Sequence, residues 1–155
     1  MKIRCIANTG KSLPDSYLNP RLGYTKELEF PLTIGKNYIV YAFSIKQEQI
    51  WYYICEDNYM YYPMRSPAPL FEVVDNRMSA YWRLKLFPNG LLEIAFEQWF
   101  SDPYFYDKLT DGEEEEVLIF EKVKKMMDLE ALSPHPIVID STGNQPLLLA
   151  KGERG

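Results

Sequence analysis

Few residues in this sequence have catalytic or metal-binding potential, and histidine is the scarcest of them. His135 is the only histidine of the chain and lies between two prolines. Histidine-based metal sites and catalytic triads need this residue together with further ligands or a nucleophile. We therefore expect no metal, no cofactor and no histidine-dependent catalysis.

The two cysteines are the next candidates for chemistry. Cys5 and Cys55 each lie in an apolar, strand-like run. A cysteine nucleophile would need His135 or another activating group nearby to lower its pKa. The pattern favours two buried, reduced thiols, with a disulfide or redox pair as the alternative.

Residues 9–12, TGKS, end like a phosphate-binding loop. That motif also requires a glycine five positions before Gly10, where this chain has Cys5. The segment is therefore predicted to be an ordinary surface loop.

Acidic residues number 22, and their densest run is the segment 113–116. Glu113, Glu114, Glu115 and Glu116 have two interpretations: a solvated helix N-terminus, or a contact patch for a basic partner. Other carboxylates lie at or near strands, and their spacing distinguishes no acid with a raised pKa. Catalysis by carboxylates alone would need two acids to converge in a cleft, so we predict no enzyme.

The aromatic residues have the strongest claim to a binding function. The chain has 12 tyrosines, and aromatic residues make up 15% of it. A large ring with a polar handle suits half-buried sheet faces and interfaces. The alternative is that these rings pack beneath the connection 8–29 or the C-terminal helix. The candidate partner-binding residues cluster around two turns and are Trp51, Tyr53, Tyr59, Tyr61 and Tyr62.

Charge and hydropathy limit the partners and the compartment. The net charge is −5, which argues against nucleic acid or an anionic membrane and favours a basic partner. The N-terminal residues lack the apolar core of a signal peptide, and no apolar run reaches the roughly eighteen residues of a membrane span. We expect a cytoplasmic protein.

Alternation of apolar residues predicts short strands over residues 2–7, 38–45, 50–55, 59–62 and 70–74. A polar connection over residues 8–29, rich in glycine and proline, is either functional or a folded-back hairpin. The central stretch, 32–75, is apolar on both strand faces, so both faces must be covered.

Residues 81–99 contain the clearest local signal. The tripeptide Pro88-Asn89-Gly90 fits a three-residue hairpin loop. This loop predicts the register, which pairs Lys85 with Glu93 as an ion pair and gives one apolar face, formed by the pairs of Trp82, Leu84 and Leu86. The predicted apolar pairs are Phe87 with Leu91, Leu86 with Leu92, Leu84 with Ile94, and Trp82 with Phe96.

A helix is predicted over about residues 111–132, after an aromatic loop over 101–110. Thr110 or Asp111 is the expected N-cap. Its core-facing stripe is Val117, Phe120, Val123 and Met127. We therefore predict a single domain over residues 1–132 and a tail over 133–155 that adds an edge strand or is mobile.

The strand and turn order of residues 1–75 resembles an SH3-like small β-barrel. The residues that carry the resemblance are the runs GKNYIVYAF, IWYYIC and YYPMRSPAPLFEVVD. In that family aromatics and a Pro–Tyr pair form a peptide groove, and Trp51 and Tyr62–Pro63 are the nearest matches here. The predicted fold is α+β: a curved, mostly antiparallel sheet or SH3-like partial barrel with a hairpin and one helix.

In size, acidity and aromatic content the whole chain is similar to small bacterial immunity proteins, the partners of secreted toxins. That likeness implies a non-enzymatic inhibitor that meets a basic protein through exposed aromatics and acidic residues. The alternative is a small-ligand sensor or regulatory domain with a pocket under the 8–29 connection.

Overall fold

The computed structural model describes residues 1–133 and two further short strands, 137–139 and 146–148. Two antiparallel sheets that do not close into a barrel and one main helix form an α+β fold. The strands are β1 Lys2–Cys5, β2 Asn37–Ile39, β3 Ala42–Lys46, β4 Gln49–Ile54, β5 Met64–Pro67, β6 Phe71–Asp75, β7 Trp82–Leu86, β8 Leu92–Phe96, β9 Ile137–Ile139 and β10 Pro146–Leu148.

The predicted strand over residues 38–45 is in fact two strands in different sheets. The smaller sheet has the order β2-β1-β6 and the larger one β5-β4-β3-β8-β7. The chain crosses between them at Val40 and Tyr41, both of which are buried. Tyr41 packs against Phe120 at 5.5 Å between ring centroids, so this apolar run is buried without forming one long strand.

Proline decides how the segment after β4 pairs. The predicted strand over residues 59–62 does not form, and the chain turns there instead. Strand β5 then pairs with β4 at the edge of the larger sheet and ends at Pro67. An edge position suits proline because the outer side of that strand needs no backbone donor.

The hairpin of β7 and β8 has the predicted register throughout. Leu84 pairs with Ile94 and Lys85 with Glu93, and the Phe87 backbone N–H donates to the Leu91 carbonyl at 2.8 Å. Two details of the prediction are wrong. Leu84 is 63% exposed, so the predicted apolar face is not covered there. The paired Lys85 and Glu93 side chains form no salt bridge.

The C-terminal part of the described chain has two helices, α1 Phe105–Thr110 and α2 Glu114–Leu132. The prediction of a loop over 101–110 missed α1. The α2 helix begins three residues later than predicted, and its N-cap is Glu113, not Thr110 or Asp111. The predicted stripe is confirmed, with Phe120, Val123 and Met127 buried and Val117 packed against the core.

The 8–29 connection is a folded-back loop whose two ends meet. Thr9 bridges Glu29, and the Gly10 N–H donates to the Leu28 carbonyl at 2.8 Å. A Cβ atom at Gly10 would lie 1.8 Å from the Thr25 carbonyl oxygen, so only glycine fits there. Tyr17, inside the loop, is buried and anchors it to the larger sheet.

Strands β9 and β10 pair with each other in antiparallel orientation. The prediction of a mobile tail concerns residues that include His135 and lie outside the described part of the chain. Among the helices described, none is long and apolar enough to cross a membrane.

Candidate binding cleft

The candidate site is a cleft between the 8–29 loop and the segment 56–65 that links β4 to β5. It has a volume of about 480 Å³. The floor and walls bring aromatic rings together with a small number of polar groups. The lining residues are Leu22, Gly23, Tyr24, Leu28, Glu29, Phe30, Pro31, Glu56, Asn58, Tyr59, Met60, Tyr62, Met64 and Arg65.

Glu56 is the unusual residue of this cleft. It is 7% exposed, although it lies two residues after the end of β4 and directly before a turn at Asp57 and Asn58. No hydrogen bond or ion pair reaches its carboxylate from the part of the chain that the structure describes. A buried carboxylate without such partners costs free energy, because water solvates the charge far better than apolar side chains do.

Burial has a direct electrostatic consequence for Glu56. It raises the pKa of this carboxyl from its ordinary value to about 7, and the neighbouring charge of Asp57 contributes in the same direction. Asp57 itself is hydrogen bonded by Thr33, Lys36 and Tyr38, and these bonds lower its pKa. Glu56 therefore changes its charge near neutral pH, beside a carboxylate that remains ionised.

One wall of the cleft is an aromatic cluster that fixes the 8–29 loop over the larger sheet. The Tyr24 ring lies 5.2 Å from Trp51 and 6.5 Å from Phe30, measured between ring centroids. The guanidinium of Arg65 stacks on the other side of this cluster, 4.2 Å from the Trp51 ring centroid. Arg65 forms no salt bridge to a carboxylate within residues 1–133.

The rim of the cleft is apolar and open to solvent. Leu22 is 66% exposed and Met60 is 82% exposed, and the side chain of Met64 is exposed beside them. Single exposed apolar residues are common, but three around one cleft form a patch.

The structure separates the five predicted partner-binding aromatics into two groups. Trp51 and Tyr53 are 7% and 9% exposed, so the expectation that they are exposed anchors is wrong. Trp51 is covered by the 8–29 loop through Tyr17 and Tyr24, and Tyr53 is covered by Trp99 and Tyr106.

The other three predicted aromatics are half-buried. Tyr59 and Tyr62 line the cleft. Tyr61 packs against Tyr62 at 4.8 Å between ring centroids, and its hydroxyl donates to the Thr110 carbonyl at the end of α1. Tyr61 therefore links the cleft segment to the turn that precedes α2.

The acidic residues 113–116 lie outside the cleft. Glu113 is the N-cap of α2, and the next three form its first turn. With Lys108 and Leu118 they line a separate surface depression. Lys108 pairs with Asp102 rather than with this run. The structure thus places the acidic run and the cleft aromatics on distinct surfaces that are joined through Tyr61.

The cysteines are free thiols in the structure. Burial raises the pKa of Cys5, and it raises that of Cys55 to about 12, so neither is an activated nucleophile. Within the described residues no group of three or more histidine, cysteine or acidic side chains is placed to hold a metal ion.

Sequence reasoning missed Glu56, Leu22, Met60 and Arg65 as site residues. The one sequence signal for Glu56 is its position as the first charged residue after a strand that is apolar on both faces. Leu22 and Met60 lie in turn segments, where nothing in the local pattern distinguishes a rim residue from an ordinary exposed side chain.

Comparison with protein-family models, with curated proteins and with solved structures gives no match to this chain. These comparisons do not test the resemblance of residues 1–75 to SH3-like barrels or that of the whole chain to immunity proteins. Both resemblances remain predictions.

Proposed function

We propose that this chain is a non-enzymatic, cytoplasmic binding protein that engages a basic protein partner at the cleft. The observation that carries the proposal is Glu56, a carboxylate that is 7% exposed and has no hydrogen-bond or ion-pair partner within residues 1–133. Functional sites typically contain residues that lower the stability of the fold and gain no stabilising contact within it. A basic partner would supply the positive charge that the fold itself does not.

The rim supports a protein rather than only a small molecule as the ligand. Leu22, Met60 and Met64 present exposed apolar side chains around the opening. Protein interfaces place such residues around a central anchor, where they exclude water from the polar contact. Methionine also adapts its shape to a partner because it is unbranched and flexible.

The proposed class of partner follows from charge and from resemblance. The net charge of −5 favours association with a basic surface. The similarity in size, acidity and aromatic content to immunity proteins makes a basic toxin the partner that we propose. The acidic run 113–116, on the surface next to Tyr61, would extend the contact as a rim that raises the association rate.

Binding rather than catalysis is favoured by the surroundings of Glu56. General acid–base catalysis needs an acid positioned beside a second reacting group, such as a nucleophile or another carboxyl group. Glu29 is the other carboxyl group among the lining residues, and no hydrogen bond joins it to Glu56.

A photo-crosslinking amino acid at Met60 tests the proposal. We expect it to trap a basic protein in cells, and Leu22→Asp in the same chain to abolish the adduct. Leu129 is 58% exposed on α2, away from the cleft lining, so Leu129→Asp is the matched control and should leave the adduct unchanged. If Leu22→Asp and Leu129→Asp gave equal amounts of the crosslinked adduct, the cleft would be rejected as the binding surface.

A small-ligand sensor is the second candidate, and the size of the cleft favours it. Small-molecule sites have volumes of roughly 300–1,000 Å³, and this cleft has about 480 Å³. Residues of the 8–29 loop, among them Leu22 and Tyr24, line it. A metabolite screen by thermal shift is the test: a ligand that stabilises the wild type but not Tyr62→Ala would favour the sensor. A screen without stabilisation would count against it.

A further inference from the structure

We infer that the cleft receives a cationic side chain, lysine or arginine, of the partner and pairs its charge with Glu56. This inference rests on the proposed function and specifies the chemistry of its central contact. It is carried by the juxtaposition, in one open cleft, of an unpaired buried carboxylate with aromatic walls and an apolar rim.

The first argument is that no group in the described part of the chain bonds to the carboxylate of Glu56, whose oxygens remain accessible from the cleft. Asp57, the adjacent residue, accepts hydrogen bonds from three side chains, among them the Lys36 ammonium at 2.7 Å. Glu56 accepts none within residues 1–133. A buried acid that lacks donors is stabilised most by a ligand that brings both a positive charge and hydrogen-bond donors, which an ammonium or guanidinium group does.

The second argument is the shape and polarity of the walls. The aliphatic stem of a lysine or arginine packs on apolar surface while its charged end reaches a polar group. The rings of Tyr24, Phe30, Tyr59 and Tyr62 line the same cleft as Glu56, and aromatic faces attract cations. The protein uses this contact itself, since the Lys124 ammonium lies 5.7 Å from the Tyr59 ring centroid.

The charged groups around Glu56 favour a cation. Asp57 lies beside it in the chain, Glu29 lines the opposite wall on the 8–29 loop, and Arg65 is the single cation among the lining residues. Arg65 is stacked on Trp51 and forms no ion pair with Glu56. The other titratable groups of this environment are the Lys36 ammonium, which pairs with Asp57, the Lys124 ammonium beside the Tyr59 ring, and the phenols of Tyr24, Tyr59, Tyr62 and Tyr106.

Pairing with a cation makes binding dependent on pH. The pKa of Glu56 in the free protein is about 7, so about one tenth of the molecules carry the charge at pH 6 and about nine tenths at pH 8. An alkylammonium ion remains protonated over this range. Affinity for the cation is therefore expected to rise about tenfold from pH 6 to pH 8. Below pH 7, binding of the cation should release a proton from Glu56.

The test titrates the full chain with n-butylammonium and with n-butylguanidinium, followed by amide NMR shifts of Asn58, Tyr59 and Met60. The neutral alcohol 1-pentanol has nearly the same shape and controls for apolar binding. We expect either cation to bind about tenfold more tightly at pH 8 than at pH 6. In Glu56→Gln the affinity for either cation should no longer depend on pH, and at pH 8 it should be at least about tenfold lower than in the wild type.

Glu97→Gln is the matched control, because it removes one exposed negative charge outside the cleft lining. It should leave the titration unchanged. Binding of 1-pentanol as tight as that of the cations, or cation binding that is equal in the wild type and in Glu56→Gln, would overturn the inference. If the Met60 crosslink to a basic protein persists in Glu56→Gln, the proposed function stands while this inference fails.

Discussion

Glu56 and Asp57 are adjacent in the chain but occupy opposite electrostatic environments. Asp57 accepts hydrogen bonds from the Thr33 hydroxyl at 2.6 Å, the Lys36 ammonium at 2.7 Å and the Tyr38 hydroxyl at 2.8 Å. Glu56 is 7% exposed and receives none from residues 1–133. The pKa of Asp57 is therefore lowered, and that of Glu56 is raised to about 7.

Glu56→Gln is expected to stabilise the protein above neutral pH. Folding raises the pKa of Glu56 from the ordinary value of 4.5 to about 7, so between these pH values the native state binds more protons than the unfolded state. The free energy of unfolding therefore falls as pH rises through that window. The loss is about 3 kcal/mol at most, at about 1.4 kcal/mol for each pKa unit. Urea unfolding of both proteins at pH 5 and pH 8 measures it.

The amide should give nearly the wild-type stability at pH 5, where Glu56 is protonated, and a higher stability at pH 8. Glu97→Gln serves as the charge-matched control and should show no such difference. A wild type that exceeds Glu56→Gln in stability at pH 8 would mean that the carboxylate has a stabilising partner, contrary to our account.

Asp57→Asn should have the opposite pH dependence. The lowered pKa of Asp57 contributes stability above the ordinary aspartate value, and this contribution is lost as pH falls through the folded-state pKa. We expect Asn to lower the free energy of unfolding by about 1–3 kcal/mol at pH 7, because bonds to an ionised acceptor are weakened. The deficit should shrink at pH 3. A deficit of the same size at both pH values would reject the role of the charge.

Gly10→Ala should destabilise the protein and disturb the cleft wall. Its Cβ atom would lie 1.8 Å from the Thr25 carbonyl oxygen, which forces the ends of the 8–29 loop apart. We expect a cost of about 1–3 kcal/mol in the free energy of unfolding, as for other overpacked sites. Lys11→Ala, at an exposed neighbouring position, is the control. Amide shifts of Tyr24 that match the wild type in Gly10→Ala would contradict the close approach.

Tyr41 and Asp128 should be energetically coupled. The Tyr41 hydroxyl donates to Asp128 at 2.6 Å, and this bond joins the crossing between the two sheets to α2. A double-mutant cycle with Tyr41→Phe and Asp128→Asn should give a coupling free energy of about 1–3 kcal/mol, the range for hydrogen bonds to a charged acceptor. Tyr59→Phe with Asp128→Asn is a suitable comparison, and equal coupling in both cycles would argue against a specific bond.

Features determined by neighbouring residues could be predicted from the sequence. The register of the β7–β8 hairpin follows from Pro88-Asn89-Gly90, because that loop alone sets which residues face one another. The buried stripe of α2 follows from its helical spacing. Both signals are local, so tertiary packing did not alter them.

Features determined by distant segments could not be predicted. The strand breaks at Val40 and Tyr41 because the segments on either side belong to two different sheets. The burial of Trp51 depends on the packing of Tyr24, from the 8–29 loop, against its ring. Glu56 is the same case, since in the sequence it resembles any solvated residue beside a turn, and its burial depends on the tertiary structure. The sequence therefore predicted the fold class, and it singled out Tyr59 and Tyr62, which line the cleft, as binding candidates, but it did not single out Glu56.

The most direct test of our account is a carboxyl-carbon NMR titration of Glu56 in the full chain, with and without n-butylammonium. We predict an apparent pKa of about 7 in the free protein, and a lower value when the cation is present, because the cation favours the ionised form. An apparent pKa near the ordinary value of 4.5 in the free protein, or one that the cation does not change, would contradict it.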